Sequence, residues 1–312
     1  MATKSKRAPK ADDAGMNLAR LIEQFGSEER CREYLDGLRW PEGRACIRCG
    51  ATTGISYVQT REQYECESCG YHFSVTAGTA LHDTHLPLWK WLMAAYLMCE
   101  SKKGISANQL KRMIGVSYKT AWYLCHRIRH AMATLVEQPL TGTVEVDETY
   151  VGGKVRGRGR AYKRNKTIVV GAIQRGGAVR IRVEKRNDRT TLHNFIREKI
   201  ADEAEAIHTD EWPPYKGCGD ANTKHETVKH REEEWVRGDV HTQSIENVWS
   251  LFKRSIVGSY HHLSAKHLPA YVDEMEWRFN NRANNFLFRD TCLALLKSVS
   301  LPYAKLTAEQ AA

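Results

Sequence analysis

The chain has no long hydrophobic run. Its most apolar stretch, residues 86–99, is interrupted by Lys90, and a bilayer span needs about 20 apolar residues. The basic start, MATKSKRAPKADDAG, is not followed by an apolar segment, so it does not read as a secretory signal. The nine cysteines are an odd number, and four of them form two C-x-x-C pairs. That usage speaks against a disulfide scaffold and for a metal clip in a reducing compartment. No internal repeat is visible. These absences predict a soluble, intracellular protein of the cytoplasm.

What is present is a globular composition, 42% hydrophobic and 27% charged over 312 residues, enough for roughly two domains of about 150 residues. Lys and Arg total 47 against 37 Asp and Glu, a net charge of +10. Such an excess suits a polyanion, and nucleic acid is the commonest one. The pattern along the chain divides into a basic tail (1–15), N-terminal helices with a four-cysteine zinc ribbon (16–80), a helix-turn-helix segment (81–137), an α/β catalytic domain (138–300) and a C-terminal tail (301–312). In the first part, apolar residues at helical spacing are broken at Gly26-Ser27, with Ser27 placed to cap a second helix.

Cys46-x-x-Cys49 and Cys66-x-x-Cys69 are separated by sixteen residues, and each pair is followed by a glycine, Gly50 or Gly70. Two such knuckles supply four thiolates for a tetrahedral Zn²⁺. With no position left open, that zinc would be structural. Cys31, Cys99, Cys125, Cys218 and Cys292 lack such spacing and read as buried fillers. Between 105 and 132, a short helix, the turn Gly115-Val116-Ser117 and a helix over 118–132 resemble a helix-turn-helix. Its second helix would enter a major groove, offering Lys119, Arg127 and Arg129 with His126 and His130.

From residue 143 the chain reads as three strands (143–151, 167–174, 178–184), a helix (190–200), a strand (204–210), a further strand near 223–228, and helices from Thr242 and Ser264. That order suits a ribonuclease-H-like domain. Three acids stand out in it. Asp147 lies on the first strand, facing the same way as Glu145 and Thr149; Asp210 ends an apolar strand; Glu246 flanks the apolar stripe of the helix from Thr242. Acids from three separate elements could hold a pair of Mg²⁺ (or Mn²⁺) ions for phosphodiester chemistry. Glu145, Glu148 and Glu211 are candidates for supporting roles, and Glu148 is the main rival to Asp147. Lys253 lies seven residues beyond Glu246, about 10.5 Å along the same side of the helix. After the first strand, residues 152–166 carry seven basic residues and no acid: Lys154, Arg156, Arg158, Arg160, Lys163, Arg164 and Lys166. Such a loop would track backbone phosphates. Arg278, Asn280, Asn281 and Arg282 on the last helix are further candidates for DNA contact.

The series VEVDETYVGG, HTDEWPPY and HTQSIENVWSLFKRSIVGSYHHLSAKHLPAYVDEMEWRFNNR resembles the DDE transposases of the Merlin superfamily and their bacterial insertion-sequence relatives. The front segments CREYLDGLRWPEGRACIRCG and YECESCGYHFSVTAGTALHDTHLPLWKW are similar to the same family, so the resemblance runs from about Asn17 to Arg282. It implies Asp147, Asp210 and Glu246 as the metal carboxylates and Lys253 as a DNA contact near the cut. Some relatives carry Asn at the third position. It implies double-stranded DNA, both terminal inverted repeats and target, as partner, with a homodimer or larger assembly on DNA and a nucleoid-associated place in a bacterial cell. No nucleophilic Tyr or Ser is expected, and Tyr150 and Tyr215 read as packing or positioning groups. A nuclease or resolvase on the same fold, or a zinc-ribbon regulator without catalysis, are the alternatives.

Overall fold

In a computed structural model of the chain, which describes residues 15–133, 138–153, 166–219, 222–228 and 236–308, each early helix starts at a side-chain cap. Asn17 Oδ1 accepts from the Arg20 amide at 3.0 Å ahead of α1 (Leu18–Gln24), and Ser27 Oγ accepts from the Arg30 amide at 3.3 Å ahead of α2 (Glu28–Arg39). The zinc ribbon follows as three short antiparallel strands in the order β1-β2-β3: β1 (Ile55–Val58), β2 (Gln63–Cys66) and β3 (His72–Phe73). Three helices come next, α3 (Leu88–Glu100), α4 (Ala107–Ile114) and α5 (Tyr118–Met132). Among the described residues no helix is long and apolar enough to cross a membrane.

These elements form one compact unit, extending to Leu135 and taking in Ala283–Ala312; the second unit is Val136–Arg282. A sequence-based domain running to residue 300 therefore overshoots the second unit. Helix α9 (Leu287–Lys297) packs on α2, α3 and α5 instead, burying Leu287, Phe288, Cys292, Leu295 and Leu296, and is followed by α10 (Tyr303–Thr307). Of the non-ribbon cysteines, Cys31, Cys99, Cys125 and Cys292 are buried, as expected of fillers, and Cys218 is half-buried.

The second unit is built on five strands in the order β6-β5-β4-β7-β8: β4 (Thr143–Val151), β5 (Thr167–Gln174), β6 (Val179–Glu184), β7 (Ala206–Asp210) and β8 (Lys224–Val228). The first three pair antiparallel, and β7 and β8 join in parallel. Helix α6 (Arg189–Lys199) crosses between β6 and β7, and α7 (Gln243–Ser255) and α8 (Leu268–Asn280) follow β8. This is a ribonuclease-H-like fold. Between β7 and β8 the described residues hold a 3₁₀ turn, Pro213–Tyr215. That turn is closed by the Tyr215 amide donating to the Trp212 carbonyl at 3.0 Å and the Lys216 amide to the Pro213 carbonyl at 3.1 Å.

Period-two alternation sends the two faces of β4 into different cores. Val144 and Val146 join Val170, Ala172, Leu192, Phe195 and Ile207 on the α6 side. Val151 joins Val169, Ile173, Ile245, Val248, Trp249 and Phe252 on the α7 side. The open edge of β6 is sealed by α8. Glu276 accepts from the Ile181 amide at 2.7 Å, and Asn280 both accepts from the Val179 amide at 2.7 Å and donates to its carbonyl at 3.0 Å. An edge strand otherwise presents unpaired backbone groups to other chains. Arg278 is buried and ion-paired with Glu274, and Arg282 donates to the Phe279 carbonyl at 2.8 Å. Arg278 and Asn280 are thus occupied within the fold, in place of the DNA contact the sequence suggested, whereas Arg282 remains exposed.

Candidate active site

The four ribbon cysteines meet. Each Sγ lies within 4.8 Å of the other three, with Cys46 to Cys69 at 3.7 Å and Cys49 to Cys66 at 3.6 Å. A tetrahedron with Zn–S bonds near 2.3 Å has edges of about 3.8 Å, so the donor set fits Zn²⁺. The knuckles close as expected: the Gly50 amide donates to the Cys46 carbonyl and the Gly70 amide to the Cys66 carbonyl, with both glycines in the left-handed region, φ +77° and +66°. Behind them Trp40, Tyr64, Tyr71 and Phe73 pack edge to face or stacked, and Tyr64 donates to Asp36 at 2.7 Å.

In the second unit, β4 and β7 are in register through Thr143–Ala206, Val144–Ile207 and Glu145–His208, and there the parallel ladder stops. Two residues further along each strand stand Asp147 and Asp210, on the same face as Glu145 and His208. Neighbouring strands lie about 4.8 Å apart, so the two acids flank the crevice that opens where the strands part. Ligands of open α/β sheets characteristically sit at such carboxyl ends. Burial, and then the neighbouring charges of Glu148 and Asp210, push the Asp147 carboxyl up to about 7, opposed by hydrogen bonds from the Glu148 amide and the Trp249 indole. Crowded carboxylates of this kind favour a bound cation.

Glu148, the rival to Asp147, points to the opposite face of β4, where Tyr215 donates to its Oε2 at 2.7 Å. Tyr215 is fully buried, and burial, followed by Glu148 and Asp147, raises its hydroxyl well above the ordinary value. Its hydroxyl is thus held protonated on Glu148, away from solvent. Tyr150 accepts from the Asn187 side chain at 2.9 Å.

Helix α7 lies on the Asp147 face. Trp249 Nε1 donates to Asp147 Oδ2 at 3.0 Å. The indole can approach because the residue paired with Asp147 on β5 is Gly171: a Cβ there would lie 2.6 and 2.7 Å from the ring carbons of Trp249. In the sequence Trp249 is one member of the apolar stripe that Glu246 flanks, with nothing local to single it out. A glycine inside a strand was the available signal of a close approach. Glu246 is one turn earlier on α7, exposed, with Thr242 Oγ1 3.5 Å from its Oε1. Lys253 is exposed two turns further on. Among the described residues only the four cysteines bring three or more ligand atoms within 4.8 Å of one another, so Asp147, Asp210 and Glu246 do not converge on one point. Two ions about 3.5–4 Å apart need no such convergence, because the outer carboxylates can serve different metals.

Helices α4 and α5 are joined by a short turn at Gly115–Ser117, but the exposed surface of α5 differs from the one expected. Arg127 and Arg129 are 5% and 1% exposed, because α5 is covered on most sides in its C-terminal half. Arg127 donates to the His82 carbonyl at 2.7 Å and sits over the rings of Trp91 and Tyr123. His126 is buried as well. Neither arginine is free to read DNA in this arrangement. Lys119 is exposed, with Nζ 4.7 Å from the Tyr303 ring centre. The exposed groups beside it are Lys111, Arg112, Met113 and Tyr118, at the end of α4 and the start of α5. Lys166 is half-exposed just before β5; Lys154, Arg156, Arg158, Arg160, Lys163 and Arg164 lie outside the described residues.

Comparison with known proteins agrees with this arrangement. Residues 139–280 match the ISXO2-like transposase domain and residues 26–72 match a transposase zinc-ribbon domain. A protein of the transposable element ISH50 of Halobacterium salinarum is 31% identical over 255 residues, covering 75% of this chain and 84% of that protein. Among solved structures, a simian T-cell lymphotropic virus intasome chain overlaps at TM-score 0.30 with 15% identity, over 58% of this chain and 66% of its own. The HTLV-2 integrase catalytic core, solved with magnesium, overlaps at TM-score 0.27 with 16% identity, over 44% and 86%. Overlaps this partial leave the ribonuclease-H-like assignment resting on strand order and the matched domain. With a transposase zinc ribbon ahead of a DDE transposase domain, and a relative from a mobile element along most of its length, the chain belongs to the insertion-sequence DDE transposases of the ISXO2-like family.

Proposed function

We propose that the protein binds the terminal inverted repeats of its element, cleaves the element ends and joins the freed strand to target DNA, with Asp147, Asp210 and Glu246 as metal carboxylates. The observation that supports this reading is the parallel register ending at Glu145–His208, two residues before Asp147 and Asp210 on their strands, with Asp210 close enough to act on the Asp147 carboxyl and the helix bearing Glu246 packed on the Asp147 face. Hydrolysis at the element end breaks the P–O3′ bond and leaves a 3′-hydroxyl. That hydroxyl then attacks a target phosphate, forming a new phosphodiester and releasing the target's own 3′-hydroxyl. Two Mg²⁺ (or Mn²⁺) ions held by these acids would activate the attacking oxygen and stabilise the leaving one. Trp249 orients Asp147, Tyr215 draws Glu148 to the other face, and Lys253 is exposed to meet a backbone phosphate.

Recognition of the ends is assigned to the front unit, through Lys111, Arg112, Tyr118 and Lys119 in a groove, helped by the basic residues of 152–166. Joining two ends requires at least two protomers. The test is a labelled duplex made from the DNA bordering the gene, incubated with Mg²⁺. Wild type should yield joined products, and Asp147→Asn none, with duplex binding kept within a few-fold. Cut but unjoined products from wild type would mean a nuclease, and neither product a DNA-binding regulator. A normally active Asp147→Asn would remove the site.

A further inference from the structure

Glu145 is a carboxylate with no solvent exposure, two residues before Asp147 on the same strand face. A buried carboxylate is costly unless fully paired, and this one is. Its Oε2 accepts from the backbone amides of Ser244 at 2.7 Å and Ile245 at 3.2 Å. Its Oε1 accepts from Ser244 Oγ at 2.9 Å and from Arg175 Nε at 3.0 Å, and His241 Nδ1 lies 3.2 Å away. Arg175 also donates to the His241 carbonyl at 3.3 Å and stands 3.1 Å from His208 Nδ1, while His208 Nε2 is 3.4 Å from Glu226. The cluster thus ties together β4, the turn after β5, β7, β8 and the start of α7.

The first amides of a helix lack partners within it. The residue at the cap position of α7, Thr242, makes no side-chain capping bond to the backbone. Glu145 supplies that cap from another strand. Ser244 and Ile245, the residues it grips, immediately precede Glu246.

We propose that Glu145 is a positioning residue of the transposase reaction: by capping α7 from β4, it sets where Glu246 stands relative to Asp147. It holds no metal itself, since both its oxygens are engaged by donors. The inference rests on the proposed carboxylate set, and the experiment separates the two. Glu145→Gln keeps the shape but puts an amide where an acceptor is needed. Zinc content and a cooperative melt establish that it is folded. Three quantities are then compared with wild type: KM for the labelled element-end duplex, turnover with Mg²⁺, and direct Mn²⁺ binding followed by electron paramagnetic resonance.

A displaced carboxylate of about 1 Å costs on the order of 10²-fold in rate. The expected result is that loss in turnover, KM within twofold, and weaker Mn²⁺ binding. Ser244→Ala removes one of the five contacts and should show the same split at smaller amplitude; it decides the matter if Glu145→Gln does not fold. Unchanged turnover and Mn²⁺ binding in the folded variant would overturn the proposal, and so would lower turnover with Mn²⁺ binding intact, which marks a purely structural role. Glu246→Gln is the control. If it retains full activity, the carboxylate assignment itself fails; if it is inactive while Glu145→Gln is normal, only the present inference does.

Discussion

Gly171→Ala adds a single methyl group to a central strand, and the structure predicts a large penalty for it. The new Cβ would stand 2.6 Å from Trp249 Cη2, 2.7 Å from Cζ2 and 3.1 Å from Ile245 Cδ1. Trp249 is buried, and its core neighbours leave it little room to retreat. Overpacking of this kind costs about 1–3 kcal/mol. Moving the indole also strains its hydrogen bond to Asp147, and a bond to a charged group contributes about 1.5–3 kcal/mol. A combined loss of roughly 3 kcal/mol is expected, with the melting temperature falling by about 6–12 °C if a unit of this size loses 2–4 °C per kcal/mol. Calorimetry without Mg²⁺ reads the stability, and cleavage of the labelled duplex reads the effect on Asp147. Trp249→Phe supplies the decisive comparison, because the smaller ring withdraws the clashing atoms. Once that ring is in place, adding Gly171→Ala should cost little, so the two substitutions should be strongly non-additive. Additive penalties, or a Gly171→Ala protein that melts and cleaves as wild type, would refute the close approach.

Four further outcomes are expected. Because the folded Asp147 carboxyl titrates near 7 and an unfolded aspartate near 3.8, the Mg²⁺-free protein should be most stable at the acid end of that window and lose this contribution as pH rises through about 7; melts from pH 5 to 8 should show the slope, and Asp147→Asn should flatten it. For the same reason, protons should compete with Mg²⁺, raising the half-saturating concentration below pH 7. Cys46→Ser should release zinc and weaken duplex binding, so a variant that keeps both, measured by metal analysis and gel shift, would remove the ribbon site. Arg127→Met should lower the melting temperature without changing the salt dependence of DNA binding, whereas Lys111→Ala should reduce the slope of log affinity against log salt by about 1; the opposite pattern would restore Arg127 as a DNA contact.

Elements with strong periodicity were legible in the chain alone. The strands 143–151 and 167–174 and the helix 118–132 run as their apolar spacing predicts, and Ser27 caps α2. The ribbon was legible because both cysteine pairs are local motifs whose spacing already dictates the knuckle. The charged face of α5 was misread for an equally physical reason. A helix buried on several sides can carry Arg127 inward when a carbonyl and two aromatic rings replace water around it, and helical period does not register that compensation. The end of the second unit was also misplaced, because α9 is amphipathic wherever it docks, and only its partners α3 and α5 decide which unit it joins.

Sequence by itself determined the chemistry on offer: four thiolates in two knuckles, three acids on separate elements, and a family pattern along most of the chain, since residue identity and short spacing are local properties. Tertiary structure alone decided which acid faces which. The register of two parallel strands puts Asp147 and Asp210 each two residues past its last pair, strand pleating sends Glu148 to Tyr215 on the far face, and a glycine 24 positions along the chain admits Trp249 to Asp147. Each of these depends on register between segments remote in sequence, and register is fixed by packing that no local pattern contains.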